Sequence, residues 1–193
     1  MPERPSAKLA ATKLVFHEVS AARWKDFERL FESKGAPKYC WCMAWRVTAE
    51  EGNLPGPKRK PAMSKRVHDG TPVGLLGYEG DEPVAWCSIA PCATYRRLVG
   101  NDTPDEGIWS IACFFITRRL RGQGITKQLL AAALKLARKH GAKIVEAYPV
   151  AADSPSYRYM GFVPMFAEAG FHEIAVEGSR RHVMQRKLRS SRK

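Results

Sequence analysis

The sequence predicts an α/β fold in which strands and helices share one domain, and three observations carry that prediction. Ile108 to Thr117 is an almost unbroken apolar run, the pattern of a strand buried on both faces. It is followed by a basic glycine-rich turn and a helix that places Ile125, Leu129, Ala133 and Ala137 on one face, joined by Leu130, Leu134 and Leu136. Lys139, His140 and Gly141 suit the helix end. A second apolar strand, Lys143 to Tyr148, comes next, and a helical crossover of this kind makes the two strands parallel.

The remaining elements follow in order. Lys13 to Val19 reads as a first strand. Ser20 is placed to cap a helix over Ala21 to about Lys34, with Trp24, Phe27, Leu30 and Phe31 as its apolar face and Gly35 as its end. A polar, proline-broken stretch leads to about Pro61, then a short helix over Ala62 to His68 with Gly70 as its stop. Val73 to Tyr78 and Pro83 to Ala90 read as strands of a hairpin turned by Glu79-Gly80-Asp81-Glu82. Cys92 to Gly107 reads as a surface loop. Tyr157 to Ala169 holds a short helix, and Phe171 to Glu177 with Arg181 to Leu188 form a closing hairpin. Residues 13–188 thus make one domain between a disordered tail, 1–12, and a basic tail, 189–193.

Bulk properties narrow the function. A chain of 193 residues, 45% hydrophobic, suits one domain with a sizeable core. No stretch approaches the roughly 18 apolar residues of a membrane span, and Met1 to Thr12 lacks an apolar signal region. Five cysteines, Cys40, Cys42, Cys87, Cys92 and Cys113, are odd in number and mostly apolar in context, which suits reduced thiols in the cytoplasm. Cys40-x-Cys42 has no second pair or His cluster at zinc spacing, so no metal is expected. No cysteine has a sequence-visible His partner, so covalent catalysis is not expected either. The net charge of +13 is concentrated near the C-terminus and in Lys58, Arg59, Lys60, Lys65 and Arg66. It favours polyanions in general and a cofactor bearing several phosphates. No helix-turn-helix, zinc finger or RNP pattern is evident, so no specific nucleic acid is expected.

The turn Arg119-Leu120-Arg121-Gly122-Gln123-Gly124-Ile125-Thr126 carries the chemistry. A strand, a glycine turn and a helix start leave backbone N–H groups unpaired and aimed outward. The helix dipole adds about half a positive charge, and Gly122 and Gly124 put no Cβ between backbone and anion. The turn is neither a P-loop nor a G-x-G-x-x-G.

This arrangement resembles the pyrophosphate loop of the GCN5-related N-acetyltransferases (GNAT), whose signature is Gln/Arg-x-x-Gly-x-Gly/Ala. Here Arg119, Gly122 and Gly124 match it, with Arg121, Gln123, Ile125 and Thr126 completing the turn, and Ala169-Gly170-Phe171 is a second match downstream. Cys-Trp-Cys-Met-x-Trp-Arg at 40–46, Trp-Cys-Ser-Ile-Ala-Pro at 86–91 and Tyr-Met-Gly-Phe-Val-Pro at 159–164 resemble a bacterial subgroup of that superfamily. The subgroup implies a fold and a cofactor but no substrate.

The resemblance implies a central, mostly antiparallel sheet with a splayed parallel strand pair, flanked by helices. It implies acetyl-CoA as co-substrate, entering between Ile108–Thr117 and Lys143–Tyr148, with main-chain groups around Phe114, Phe115 and Ile116 holding the pantetheine arm and the thioester carbonyl. A primary amine, of a small molecule or of a peptide, would attack the thioester directly. The family's acid is commonly a Tyr four residues before a Gly-Phe pair. Counted from Gly170-Phe171 that position is Phe166, which cannot donate a proton, leaving Tyr157, Tyr159 or water. Many relatives carry a Glu where Ser110 stands here, and Ser110 is too weak a base to act alone. Glu146, in an apolar strand, is the candidate base, since an unpartnered buried carboxylate is costly; a structural ion pair is the competing role. Trp41, Trp45, Arg46 and Trp86 are candidates for the acceptor pocket, with Arg46 able to hold an acceptor carboxylate and core packing as the alternative. Dimers are common in the family, so a homodimer is a possible assembly. A non-catalytic acyl-CoA-binding protein of the same fold and a basic nucleic-acid-associated protein are the alternative functions.

Overall fold

The computed structural model describes residues 12–48, 51, 53–95, 98 and 106–188. Seven strands form one sheet in the order β1-β2-β3-β4-β5-β7-β6: β1 (Val15–Glu18), β2 (Leu75–Glu79), β3 (Glu82–Pro91), β4 (Ile108–Ile116), β5 (Ile144–Ala147), β6 (His172–Glu177) and β7 (Arg181–Lys187). Every neighbouring pair is antiparallel except β4 and β5, which are parallel. The crossover between those two is α3 (Ile125–Lys139), whose buried stripe packs on one face of the sheet with Val84, Ile89, Ile111 and Phe114. The other face is covered by α1 (Trp24–Glu32) and α2 (Gly56–His68). A short α4 (Val163–Glu168) precedes the closing hairpin.

The second core is aromatic. Trp86 of β3 is fully buried, with Phe27 of α1 edge-on at 4.9 Å and Phe31 at 5.9 Å between ring centroids. Trp41 stacks on Phe31 at 5.6 Å, and the Lys60 ammonium lies over its ring. Two of the three tryptophans proposed for the acceptor pocket, Trp41 and Trp86, are therefore packed in this core. The edge-on contacts of Trp86 and the stacked contact of Trp41 with Phe31 are both arrangements that ring charge distributions favour over full face-to-face overlap.

Element boundaries depart from the sequence reading in three places. The first helix opens as a 3-10 turn, Ala21–Arg23, and the Ser20 side chain makes no cap bond. The second helix starts at Gly56 rather than near Ala62; Pro57 lies in its first turn, where a missing N–H costs nothing. Thr12, assigned to the disordered tail, is tied down. Its carbonyl accepts from Gln128 Nε2 at 2.7 Å and its hydroxyl donates to Gln123. The rest of that tail and residues 189–193 lie outside the described residues.

The feature that makes the site is a mismatch in β4. Ser88 pairs with Cys113 and Ile89 with Ile111, so Ala112 is a bulge. On the opposite edge, pairing with β5 ends at Ile111–Ala147. Past that point β4 continues beside β3 to Ile116, but without β5.

Phe27 is fully buried at the centre of the aromatic core, so Phe27→Ala is expected to cost about 3–5 kcal/mol, read as a lower urea midpoint. A loss below 1 kcal/mol would mean that the core collapses around the deletion.

Candidate active site

Where β5 leaves β4, a cleft of about 640 Å³ opens. One wall is the freed stretch of β4, Cys113 to Ile116. The opposite wall is Tyr159, Gly161, Phe162 and Met165. Arg121 and Thr126 sit at one end, and the segment after α1 closes a third side with Gly35, Ala36 and Pro37. Phe114, Phe115 and Ile116 thus line the cleft as expected. The Ile116 carbonyl is already engaged, however, accepting from Arg121 Nε at 3.0 Å.

At the loop, Gly122 and Gly124 have φ of +78° and +75°, with open space where a Cβ would stand. The N–H groups of Gly122 through Thr126 take no hydrogen bond among the described residues, and the helix ladder begins only at Lys127, whose N–H meets the Gly124 carbonyl. A row of free donors at the start of a 15-residue helix is an anion cradle. Ile125 is buried and anchors the loop in the core. The Gln123 side chain bonds to Thr12 and to the Arg119 carbonyl, bracing the turn. Arg119 does not face the cleft. It reaches the hairpin between β2 and β3, where Glu79 and Glu82 hold it, and Glu79 in turn is held below the usual carboxylate range by the bond from Arg119. The matched arginine is a brace for the loop, and Arg121, with Arg59 and Arg158, is among the cations that line the cleft.

Ser110 and Glu146 are register partners on β4 and β5, one pair before the divergence. Both are buried. Among the described residues Glu146 has no cationic partner: Tyr148 Oη donates to one carboxylate oxygen, and Gln185 Nε2 donates to the other at 2.6 Å. Ser110 Oγ lies 3.3 Å from the same Tyr148 oxygen. Burial and the adjacent Glu146 push the Tyr148 phenol well above its ordinary range, so it holds its proton and is a permanent donor. The competing ion-pair role for Glu146 is not what forms; its partners are neutral. This network lies at the inner end of the divergence and is not among the cleft-lining side chains.

Gly170-Phe171, the second match to the family pattern, is not among the residues that line the cleft. Phe171 is buried core at the start of β6, and Phe166 is fully buried against Phe114 and Phe171. Gly161-Phe162 is the pair at the cleft. Gly161 has φ +90° and no room for a side chain, since a Cβ would lie 2.9 Å from the Phe166 ring. Four residues before Gly161 stands Tyr157. It has φ +57° and is over one third exposed, with Trp45 at 6.4 Å and Tyr159 at 6.3 Å. Partial burial pushes the Tyr159 phenol up to about 12, so it is protonated at neutral pH.

Of the four acceptor candidates only Trp45 lines the cleft, with its indole Nε1 buried and unpartnered among the described residues. Arg46 is 1% exposed and faces inward. Its Nη2 lies within hydrogen-bonding distance of the Val73 carbonyl at 2.7 Å, Ser88 Oγ at 2.9 Å and Tyr95 Oη at 2.8 Å, while Nε and Nη1 have no partner among the described residues. Another member of the 40–46 cluster does reach the cleft. Cys42 lines the cleft, accepts from the Trp86 indole at 3.4 Å, and is held in the left-handed region at φ +53° beside Trp41 at +48°. Non-glycine residues there cost on the order of 1–3 kcal/mol each, offset by the stacked Trp41. The neighbouring Cys113 side chain and the Arg46 charge push the Cys42 thiol below its ordinary range against the effect of burial, while Cys113 moves up. Nothing in the spacing signals this, because Cys113 and Trp86 arrive from other strands.

Among the described residues no group of three or more His, Cys, Asp or Glu side chains could hold a metal, and no helix is long and apolar enough to cross a membrane.

A profile of the acetyltransferase (GNAT) family matches residues 17–162. Several solved structures are similar in fold. The ribosomal-protein-alanine N-acetyltransferase from Brucella melitensis is 16% identical, with a TM-score of 0.55 over 91% of this chain and 100% of that one. An N-acetyltransferase from Staphylococcus aureus Mu50 is 10% identical, with a TM-score of 0.56 over 92% and 99%. The PaiA N-acetyltransferase from Thermoplasma acidophilum, in complex with coenzyme A, is 11% identical, with a TM-score of 0.50 over 91% and 99%. No curated protein sequence matches.

The depressed Cys42 thiol has a direct consequence. Thiolate is the reactive form, and an ordinary cysteine reaches it near pH 8.5. Alkylation of Cys42 by iodoacetamide, followed by peptide mass spectrometry, is expected to stay fast at pH 7 and to slow only at lower pH. Ordinary thiol behaviour, with reactivity rising through pH 8–9, would contradict the arrangement.

Proposed function

The chain belongs to the acetyltransferase (GNAT) family, and from that premise we propose that it transfers an acetyl group from acetyl-CoA to the primary amine of a small molecule. The observation that carries this reading is the cleft that opens along β4 past the end of its pairing with β5, with a row of N–H donors at its end that have no partner among the described residues. Acetyl-CoA supplies an activated thioester carbonyl. The residues fit it: the 122–126 donors and Arg121 meet a pyrophosphate, and the freed edge of β4 from Cys113 to Phe115 offers main-chain groups to an extended amide-bearing arm. The apolar walls, Phe114, Phe162 and Met165, exclude water from the reacting centre.

Proton traffic needs two groups. The amine attacks the carbonyl directly and must lose a proton. Glu146 is the base in this reading, reached through the Tyr148 hydroxyl and Ser110, or through water, because its carboxylate lies behind the cleft rather than in it. The departing thiolate must gain a proton, and Tyr157, at the family's position before Gly161-Phe162, supplies it. With Tyr157 four residues before Gly161-Phe162, a proton donor stands at the family's position, which favours the catalytic reading over a non-catalytic acyl-CoA-binding protein. On the acceptor side Trp45 and Tyr159 form the wall.

Two measurements test the reading. Acetyl-CoA at about 100 times Kd is expected to stabilise the protein by about 2.7 kcal/mol, raising Tm by about 5–10 °C. Gly122→Glu, which puts a carboxylate in the cradle, should abolish the shift; an unchanged shift in the variant would move the cofactor elsewhere. In a screen of amines, Glu146→Gln is expected to lower kcat by about 100-fold or more with the acetyl-CoA shift retained. Full activity in that variant would remove Glu146 from proton transfer.

A further inference from the structure

Charge in the cleft narrows the chemistry of the acceptor. Arg59, Arg121 and Arg158 line it, and among the described residues no aspartate or glutamate does. Elsewhere on the molecule cations are answered by carboxylates: Lys60 by Glu28 and Glu32, Arg66 by Glu51, Arg119 by Glu79 and Glu82. The cleft arginines are held by main-chain carbonyls instead. Arg121 Nε donates to Ile116, and Arg158 Nη1 to Ala152 and Ser154. Arg59 Nε donates to the Leu54 carbonyl at 3.0 Å, and its Nη1 to the Tyr39 carbonyl at 3.1 Å. A carbonyl fixes a guanidinium without cancelling its charge, so the cleft is electropositive.

We propose that the acceptor is an apolar amine that carries a carboxylate, an amino acid in the broad sense, and that Arg59 binds the carboxylate. The inference rests on the acetyltransferase reading given above. Arg121 belongs to the cofactor loop, and Arg158 stands on the wall of Phe162, its guanidinium 4.8 Å from that ring. Arg59 comes from the other side. It stands near the start of α2, half-buried, and its two bonds tie it to the stretch between α1 and α2 that also brings Tyr39 and Trp45 to the cleft. Those bonds hold the guanidinium in place before a ligand arrives, which lowers the ordering cost of binding. Its Nη2 takes no partner among the described residues, so N–H groups are left for carboxylate oxygens. One such guanidinium suits a monoanion. A phosphate would call for a second cation beside it, and Lys60, next in the chain, is committed to Glu28 and Glu32. The rings of Trp45 and Tyr159 offer their faces to an apolar body. Arg46 cannot take this part, being 1% exposed and absent from the cleft lining. The same charges act on the amine. Nearby cations favour its neutral form, which is the one that attacks, and oppose a polycationic acceptor.

Matched pairs of amines test this: L-phenylalanine against phenethylamine, L-tryptophan against tryptamine, and 4-(aminomethyl)benzoate against benzylamine. The members of each pair differ by one carboxylate. The full chain is assayed for acetyl transfer to each, and its thermal unfolding in saturating coenzyme A is followed with each compound added. A hydrogen-bonded charge pair changes binding by about 10–100-fold, and kcat/KM for the carboxylate member of at least one pair is expected to exceed that of its partner by such a factor. In Arg59→Gln the advantage is expected to vanish through KM, with turnover of the neutral member and the thermal shift by acetyl-CoA unchanged. Arg59→Lys keeps the charge without the planar fork and is expected to fall between the two; with the parent's preference it decides the matter where Arg59→Gln does not fold. Spermidine is expected to be a poorer acceptor than the preferred carboxylate, and the reverse order overturns the proposal. A parent that takes the neutral member as well as the carboxylate in every pair also overturns it. So does a parent that gains the acetyl-CoA shift but neither acetylates nor is further stabilised by any carboxylate member, which leaves the cofactor reading standing. An Arg59→Gln protein that keeps the preference and loses the acetyl-CoA shift assigns the arginine to a cofactor phosphate and overturns the proposal. A parent with no acetyl-CoA shift overturns the underlying reading and this one together.

Discussion

The structure depends on β4 being unable to pair with both neighbours along its whole length. The bulge at Ala112 adds a residue on the β3 side, increasing local twist and bending the strand. β5 is only four residues long and pairs with β4 from Ile108–Ile144 to Ile111–Ala147. Beyond that, three features appear at one place: a row of backbone groups without a strand partner, a gap wide enough for a ligand, and a helix whose N-terminus opens at its end. A sheet that stayed paired to Ile116 would bury the same apolar residues and have no site. The bulge also switches which face successive side chains meet. Ile111 and Phe114 both pack toward α3 although they are three residues apart, while Cys113 and Phe115 turn to the α1 side.

The order of elements was legible because each is marked by an apolar period and a glycine stop. The phosphate loop was legible because its chemistry is local: strand, glycines and helix start are consecutive in the chain. What failed were assignments that needed a partner from elsewhere. Arg119 matches a motif letter, yet the carboxylates that capture it come from β2 and β3. Trp41 and Trp86 look like pocket walls in a row of letters, but α1 lays two phenylalanines against them. Phe166 took the tyrosine position because two Gly-Phe pairs, at 161 and 170, lie nine residues apart, and sequence offers no way to tell the one at a cleft from the one in a core. The sign that separates them is steric: Gly161 admits no Cβ, whereas at Gly170 the nearest neighbour to one is the Arg186 side chain at 3.8 Å.

Glu146 illustrates a different limit. Its burial was inferred correctly from an apolar strand, and the physical rule that a buried carboxylate must be satisfied held. The rule does not say by what. Two neutral donors on neighbouring positions, Tyr148 on the same strand and Gln185 across from it on β7, satisfy both oxygens. A neutral shell keeps a carboxylate available to accept a proton, whereas a salt bridge would tie that capacity to the loss of a buried ion pair. This is why the arrangement suits proton transfer better than a bridge to lysine or arginine would.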